Sequence, residues 1–285
     1  MAELYKGAPV AAAINARTAA DIEMLKGKGI EPCLAIVQLG NNDADTAYAN
    51  SAKKKCASSG VAVKDVALAA DISEEELIAK INELNEDNSV HGVLILRPLP
   101  AHISDDNVRA ALKPEKDIDG ITDISLGGVF TGNNVGFAPC TAQACMEILD
   151  HYGIELKGKN VCVIGHSLVV GRPAALMALC KDATVTICHI NTVDTPAHAR
   201  QAEIIIVAVG KAGLVDSRYL SEGQILIDVG INVNAEGKLC GDVDSAAADA
   251  VAAAYSPVPG GVGSVTTSVL ISHVVEAAKR AAAKQ

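Results

Sequence analysis

Along the chain, short β-branched and apolar runs alternate with longer stretches whose apolar positions recur at helical spacing, which predicts an α/β fold with parallel strands. Pro32 to Leu39 (PCLAIVQL) reads as a strand ended by Gly40, Thr46 to Ser59 as a helix closed by Gly60, and Val61 to Leu68 as the next strand. Ser73 to Asn85 (SEEELIAKINELN) opens with an N-cap and an acidic first turn, a helix-start signal. Val90 to Leu96 is a buried strand running into the rigid loop Arg97-Pro98-Leu99-Pro100. A second unit begins near Thr141, with a helix from Thr141 to Tyr152 and a strand from Asn160 to Ile164 that enters GHSLVVGRPAALMAL. Thr184 to Cys188, Ile204 to Val209 and Ile225 to Val229 read as three more buried strands, and Thr266 to Lys284 as a long amphipathic helix. The expected organisation is a small N-terminal α/β domain over 1–140 and a doubly wound, Rossmann-like parallel-sheet domain over 141–265. The C-terminal helix, 266–285, is expected to return to the first domain. In such sheets ligands sit at the carboxyl ends of the strands.

Composition narrows the function classes. A length of 285 residues exceeds one ordinary hydrophobic core and suits two domains. With no Trp and two Phe, the chain lacks an aromatic platform for stacking nucleobases, and a net charge of −10 disfavours a surface that neutralises phosphate backbones. No nucleic-acid partner is therefore expected, and any anion site is local. The eight cysteines include no C-x-x-C pair, and several lie in apolar runs where Cys acts as a small hydrophobe. That predicts a reducing compartment and no metal site. The N-terminus, MAELYKGAPVAAAINART, lacks the pattern of a secretory leader, and no apolar run approaches the length of a bilayer span. A cytoplasmic protein without a membrane partner is expected.

The strongest local chemistry is a glycine immediately after a buried strand and before a helix, where backbone can approach a pyrophosphate at a helix N-terminus. Gly165 has that context, in the spacing G-x-S-x-x-x-G-x-P made by Gly165, Ser167, Gly171 and Pro173. This departs from G-x-G-x-x-G and, taken alone, reads equally as a dinucleotide site or a structural turn.

The segment VIGHSLVVGRPAALM resembles the cofactor loop of the methylenetetrahydrofolate dehydrogenase/cyclohydrolase family, and three further segments match that family in order. They are PEKDIDG (Pro114 to Gly120), APCTAQA (Ala138 to Ala144) and SPVPGGVGSVT (Ser256 to Thr266). The resemblance spans essentially the whole chain. It implies a folate cleft between the two domains, nicotinamide on the Rossmann-like side, and a homodimer. It also implies that Tyr48 packs on the pterin and Asp119 hydrogen-bonds to it, as the catalytic positions; a buried carboxylate suits the second role because it accepts two N–H bonds. From the residues alone, Tyr48 reads as a helix-packing side chain and Asp119 as a turn cap. The implied substrate-binding set adds Leu96, Arg97, Pro98, Pro259, Gly260, Gly261 and Thr266. The implied nucleotide set comprises Thr141, Gly165, His166, Ser167, Val170, Gly171 and Arg172 on one stretch, and His189, Ile190, Asn191, Val209, Gly210 and Ile231 beyond it.

Two departures from the family pattern change the expected chemistry. The family places a lysine four residues after the tyrosine, on the same helix face. Here that position is Ala52; Lys53 lies five along, about 140° around the helix. The family segment V-Q-L-P-L-P is represented by Ile95-Leu96-Arg97-Pro98-Leu99-Pro100, so its glutamine becomes Leu96. The resemblance assigns that lysine and glutamine to positioning and activating water against the methenyl carbon. Hydride transfer asks the protein mainly for orientation and exclusion of water, whereas hydrolysis of the methenyl cation needs a titratable group. The expectation is a 5,10-methylenetetrahydrofolate dehydrogenase with weak or absent cyclohydrolase activity. Two alternatives stay open: a bifunctional enzyme in which Lys53 or Lys54 takes the vacant place, and a silent folate- or nucleotide-binding protein. Without the resemblance, a generic oxidoreductase on another small substrate leads.

Lys53, Lys54 and Lys55 read as a solvated helix face, or alternatively as a greeting for the glutamate tail of a polyglutamylated folate. NAD sites of this class place an acid at the end of the second strand, but here that end is CHINT (Cys188 to Thr192). NADP-using relatives commonly carry arginine after the first glycine and serine then a basic residue at the strand end; this chain has His166, Ile190 and Asn191. The cofactor is therefore NAD or NADP, with a lean to NAD. His166, His189 and Arg172 remain as sources of positive charge, and the two histidines read equally as partners of local backbone.

Overall fold

The structure is a computed structural model that describes residues 1–133 and 135–284, with the backbone alone for 43–45. In chain order it contains β1 (Glu3–Leu4), α1 (Gly7–Lys26), β2 (Cys33–Leu39), α2 (Asp43–Ser59), β3 (Ala62–Leu68), α3 (Glu74–Glu86), β4 (Gly92–Ile95), α4 (Asp105–Ala111) and α5 (Asp123–Thr131). These are followed by α6 (Cys140–His151), β5 (Asn160–Ile164), α7 (Gly171–Leu179), β6 (Thr184–Cys188), α8 (Thr195–Arg200) and β7 (Ile204–Val207). After a 3-10 turn at Ser217–Tyr219 come β8 (Ile225–Asp228), β9 (Asn232–Val233), β10 (Leu239–Cys240), α9 (Ser245–Val251), β11 (Ala254–Tyr255) and α10 (Val262–Ala283). The chain divides into two compact units: Met1–Ala12 with Pro139–Thr266, and Ala13–Ala138 with Thr267–Gln285.

The unit built on 13–138 and 267–285 holds a three-stranded sheet in the order β3-β2-β4, with both pairings parallel. The central strand β2 buries Leu34, Ala35, Ile36 and Val37, so both of its faces are covered, as its uninterrupted apolar run requires. On one side, Ala35, Val37, Val93 and Ile95 pack with Leu77, Ile81 and Leu84 of α3 and Val108 of α4. Helix α3 starts where its capping box dictates: Ser73 Oγ accepts from the Glu76 N–H, and the Glu76 carboxylate accepts from the Ser73 N–H.

The other unit holds a six-stranded, all-parallel sheet in the order β1-β11-β8-β7-β5-β6. Residues 1–12, expected with the first domain, instead join this sheet through β1, which pairs in parallel with β11. The Tyr152 hydroxyl donates to Lys6 O and its ring stacks on Tyr5 with centroids 4.2 Å apart, fixing the same segment. Thr184 to Cys188 is not the buried strand its composition suggested. As the edge strand it bonds only to β5, and among its five residues only Cys188 is buried. The strand expected to reach Val209 ends at Val207: the Ala208 N–H still donates to Ile164 O, but those of Val209 and Gly210 turn away to a carboxylate. Helix α10 begins at Val262, four residues before the expected start at Thr266. From Thr267 onward it belongs to the unit built on 13–138, consistent with the expected return of the C-terminal helix.

Candidate active site

In the six-stranded unit, β5 and β7 bring two loops together at their carboxyl ends. Gly165 takes φ +120°, and a side chain there would place Cβ 2.2 Å from Ala208 O. A Cβ on Gly171, the first residue of α7, would lie 2.1 Å from Gly165 O. Both glycines are therefore demanded by backbone meeting backbone, and the helix N-terminus sits tight against the strand end. Ser167 Oγ accepts from the N–H of Val170 at 3.2 Å and of Gly171 at 3.4 Å, closing the turn, and Arg172 N–H donates to Ser167 O.

A cleft of about 510 Å³ opens on this turn, lined among others by Gly165, His166, Ser167, His189, Ile190 and Val209. Thr195, Lys211, Leu214 and Tyr219 complete the polar and apolar walls. Six of the expected nucleotide residues thus line one cavity, and Val170, Gly171, Arg172, Asn191 and Gly210 adjoin it in sequence. The size and the glycine cradle fit an extended dinucleotide held by backbone. His189 Nδ1 accepts from the Asn191 N–H at 3.2 Å, and the His189 N–H donates to Thr192 Oγ1 at 2.8 Å. The local-backbone reading therefore holds for one nitrogen of His189, leaving its Nε2 outside that turn.

The sequence did not single out the group that shapes the third side of this cleft. Asp242, fully buried, accepts from the N–H groups of Val209 (2.7 Å), Gly210 (2.9 Å) and Lys211 (2.8 Å), and from Asn232 Nδ2. Asp228, at the end of β8, in turn accepts from the N–H groups of Asp242, Val243 and Gly230. Burial pushes the Asp228 carboxyl up to about 6, against the opposing pull of those three N–H donors. The detectable signal was the pair of acids in IDVG and GDVD, each flanked by glycine: a Cβ on Gly241 would meet Asp228 Oδ2 at 1.8 Å, and one on Gly230 the Asp242 carboxyl at 2.3 Å.

A second cleft in this unit, about 240 Å³, is lined by Asp228 to Ile231, Leu239 and the stretch Pro257 to Ser264. It gathers Ile231 with Pro259, Gly260 and Gly261, so Ile231 stands with the expected substrate loop rather than in the larger cleft. Gly260 takes φ +99° and its carbonyl accepts from the Gly7 N–H, and the Val258–Pro259 bond is cis. Thr266 Oγ1 donates to Val262 O within α10, and Thr141, in the first turn of α6, lines neither cleft.

In the three-stranded unit, Tyr48 lies in α2, which follows β2, and is 41% exposed, so it is not the packed core tyrosine of the plainer reading. Ala49, Ala52 and Cys56 form the buried stripe of the same helix. Lys53 is held by Asp65 of β3, while Lys54 is exposed. Leu96, directly after β4, is buried, its N–H donating to Val37 O. Arg97, joined to Pro98 by a cis bond, pairs through Nη1 with Asp105. In PEKDIDG the fully buried carboxylate is Asp117, which accepts from the N–H groups of Ile121 and Thr122. Asp119 is only half-buried, which corrects the expectation of a buried carboxylate there: Asp117 takes the structural role and leaves Asp119 at the surface of the loop. His273 of α10 also escaped the sequence reading. Its Nδ1 lies 2.8 Å from Ile118 O, which can only accept, so that nitrogen carries the proton and ties the loop to the helix.

Among the described residues, no helix is long and apolar enough to cross a membrane, and no cluster of His, Cys, Asp and Glu is arranged to hold a metal.

Comparison with known proteins agrees with this geometry. Residues 5–119 match the family described as tetrahydrofolate dehydrogenase/cyclohydrolase, catalytic domain, and residues 139–282 match its NAD(P)-binding domain. A bifunctional protein FolD of Alkaliphilus metalliredigens is 46% identical over 280 residues, covering 98% of this chain and 99% of that protein. The crystal structure of the bifunctional FolD methylenetetrahydrofolate dehydrogenase/cyclohydrolase of Campylobacter jejuni superposes with a TM-score of 0.96 at 41% identity, over 98% of this chain and 99% of that one. The Trypanosoma brucei N5,N10-methylenetetrahydrofolate dehydrogenase-cyclohydrolase, solved with NADP and an inhibitor, gives a TM-score of 0.91 at 33% identity, over 99% and 98% of the two chains. Sequence motifs, the glycine cradle and full-length similarity converge: the chain belongs to the tetrahydrofolate dehydrogenase/cyclohydrolase family.

Proposed function

We propose that this chain is an NAD(P)-dependent 5,10-methylenetetrahydrofolate dehydrogenase that yields 5,10-methenyltetrahydrofolate and has little or no cyclohydrolase activity. The observation that carries the second half is the pair Ala52 and Leu96, both buried and apolar, at the positions where hydrolysis needs a titratable side chain and its polar partner. The nearest lysine in sequence, Lys53, is held by Asp65, which opposes its recruitment to the vacant place.

The bound nicotinamide supplies the hydride acceptor. The residues of this chain bind, orient and exclude water. The turn from Gly165 to the α7 N-terminus, closed by Ser167 on the Val170 and Gly171 N–H groups, lets backbone approach the pyrophosphate, and Arg172 on the first turn of α7 supplies charge. Val209 and Gly210, fixed by Asp242, stand on the other loop of the larger cleft, whereas Ile231 stands with Pro259 to Gly261 at the smaller cleft. On the folate, Tyr48 packs against the pterin and Asp119 accepts its N–H groups. Leu96 to Pro98, Pro259 to Gly261 and Thr266 shape the remaining contacts. Hydride departure from the methylene carbon is driven by the adjacent folate nitrogen lone pair, so no protein base is required.

The cofactor lean is to NAD: Ile190, in the turn after β6, is 95% exposed and offers no phosphate ligand. The exposed edge strand β6 supports pairing with a second copy of the chain, and Lys54 supports a contact with the glutamate tail of a polyglutamylated substrate. One time course tests the central reading, following reduced nucleotide and methenyl product together with NAD or NADP. Nucleotide reduction is expected, with methenyl product decaying at the buffer rate. Enzyme-dependent decay would instead return the bifunctional reading, and no reduction with either nucleotide would favour a silent binding protein.

A further inference from the structure

The three-stranded unit holds a cavity of about 420 Å³ that is lined by none of the expected substrate or nucleotide residues. It opens at the amino ends of the sheet: Cys33 and Ala62 are the first residues of β2 and β3, and His91 precedes β4. Tyr48 and the loop Leu96 to Pro98 follow the carboxyl ends, and a seven-residue strand such as β2 separates the two ends by about 20 Å. The volume falls in the range of about 300–1,000 Å³ typical of small-molecule sites. Ala278, Ala281 and Ala282 form one wall; they share a face of α10, and their side chains end at Cβ, which leaves that wall flat and apolar.

His91 supplies the directional group. It is only 9% exposed, and its ring is fixed against β2: Nδ1 accepts from the Cys33 N–H at 3.2 Å, while the His91 N–H donates to Cys33 O at 2.9 Å. With Nδ1 an acceptor the imidazole is neutral and its proton sits on Nε2, for which the described residues offer no partner. Burial and, after it, the Lys116 charge hold this ring below the usual imidazole range against the pull of Asp87, so it stays a neutral donor. Burial, with the Asp87 charge, raises the Cys33 thiol, which therefore serves as wall and not as nucleophile. Asp87 is itself spent on Lys64 and Ser89. Glu31, exposed and paired with no cation among the described residues, is the charge that remains at the cavity. Among the described residues no cation lines it, which disfavours an anionic ligand. A buried neutral N–H donor, a free carboxylate and a flat alanine wall suit a flat ring that carries an acceptor nitrogen beside an amino group. We infer that this cavity binds an amino-substituted nitrogen heterocycle, the edge shared by adenine and pterin. A ring nitrogen accepts from His91 Nε2, the amino group donates to Glu31, and the ring lies on Ala278, Ala281 and Ala282.

The test is amide chemical-shift mapping by NMR on the whole protein, titrated separately with adenine and with pterin. Shifts assigned to residues separate this cavity from the cofactor and folate clefts. The expected result is saturable shifts at Glu31, Asn88 to His91 and Ala281 to Ala282, with a dissociation constant of about 1 mM or tighter. Unsubstituted purine, which keeps the ring nitrogens and lacks the amino group, should bind about tenfold more weakly than adenine. In E31A the two should bind alike. A281F, a change at an exposed position of α10, should abolish the shifts at Glu31 and Asn88 to His91 and leave the rest of the spectrum in place. The tighter of the two probes identifies the source, a free nucleobase or the head group of a folate, and either supports the inference. No saturable shift at these residues, equal binding of adenine and purine to the native chain, or shifts that persist in A281F overturns it, whatever the outcome for the dehydrogenase reading.

Discussion

At the scale of single residues, the site depends on where a side chain is impossible. Gly171→Ala would drive Cβ into the Gly165 carbonyl at 2.1 Å, with Gly165 C at 2.5 Å and His166 N at 2.9 Å. All three neighbours are backbone atoms that cannot swing aside. We expect a stability loss of roughly 2–4 kcal/mol by urea titration. Dinucleotide affinity should fall by about tenfold or more. A variant with an unchanged midpoint would show that the strand–helix turn relaxes more than the packing allows. The two glycines were legible from spacing and context, but the acids were not ranked correctly. PEKDIDG contains two aspartates two residues apart, and only the fold shows that Asp117 is spent on the Ile121 and Thr122 N–H groups while Asp119 stays half-buried. Such a division depends on which way the backbone turns, and a motif does not state that.

At the scale of elements, helix α3 was readable to within a residue because its start is chemically written. Ser73→Ala removes the acceptor of the Glu76 N–H and disconnects the reciprocal bond; a cost of about 1 kcal/mol in a denaturation curve is expected. Helix α2 carries the departure from the family's sequence pattern, Ala52. The lysines lie off the stripe Ala49, Ala52, Cys56, and Lys53 bridges to Asp65, whose side chain is about half exposed. Asp65→Ala should therefore shift stability by less than about 1 kcal/mol. It should also leave methenyl decay at the buffer rate. A rise in enzyme-dependent hydrolysis would show that the ion pair had been restraining a usable lysine. Strand β6 was legible as a strand but not as an edge, since Val, Thr and Ile satisfy β-propensity at either place. The short strands β1 and β11 were invisible for the opposite reason: two residues each carry no period, and they exist because the sheet offers them a partner.

At the scale of the whole molecule, the six-stranded unit ends in a carboxylate relay whose charge state is coupled to folding. Asp228 joins the end of β8 to the backbone of Asp242 and Val243, and Asp242 holds the loop Val209 to Lys211 after β7. Long-range pairings of this kind, fourteen residues apart and then about thirty, are fixed by topology rather than by local pattern, which is why the sequence reading passed over both acids. Burial raises the folded-state Asp228 carboxyl to about 6, whereas an unfolded aspartate titrates near about 3.9. The native state thus binds this proton more tightly than the unfolded state. The associated stabilisation is fully present below about pH 3.9 and is lost as pH rises through about 6, at most about 3 kcal/mol by linkage. Urea midpoints measured between about pH 4 and about pH 7.5 should carry this downward contribution in the native chain. Asp228→Asn cannot titrate and should lack it, although its amide meets a backbone N–H and lowers stability throughout. The decisive quantity is therefore the difference in slope between the two proteins, to which other titrating groups contribute equally. Parallel slopes would mean that the three N–H donors hold the Asp228 carboxylate charged across the whole range, outweighing its burial.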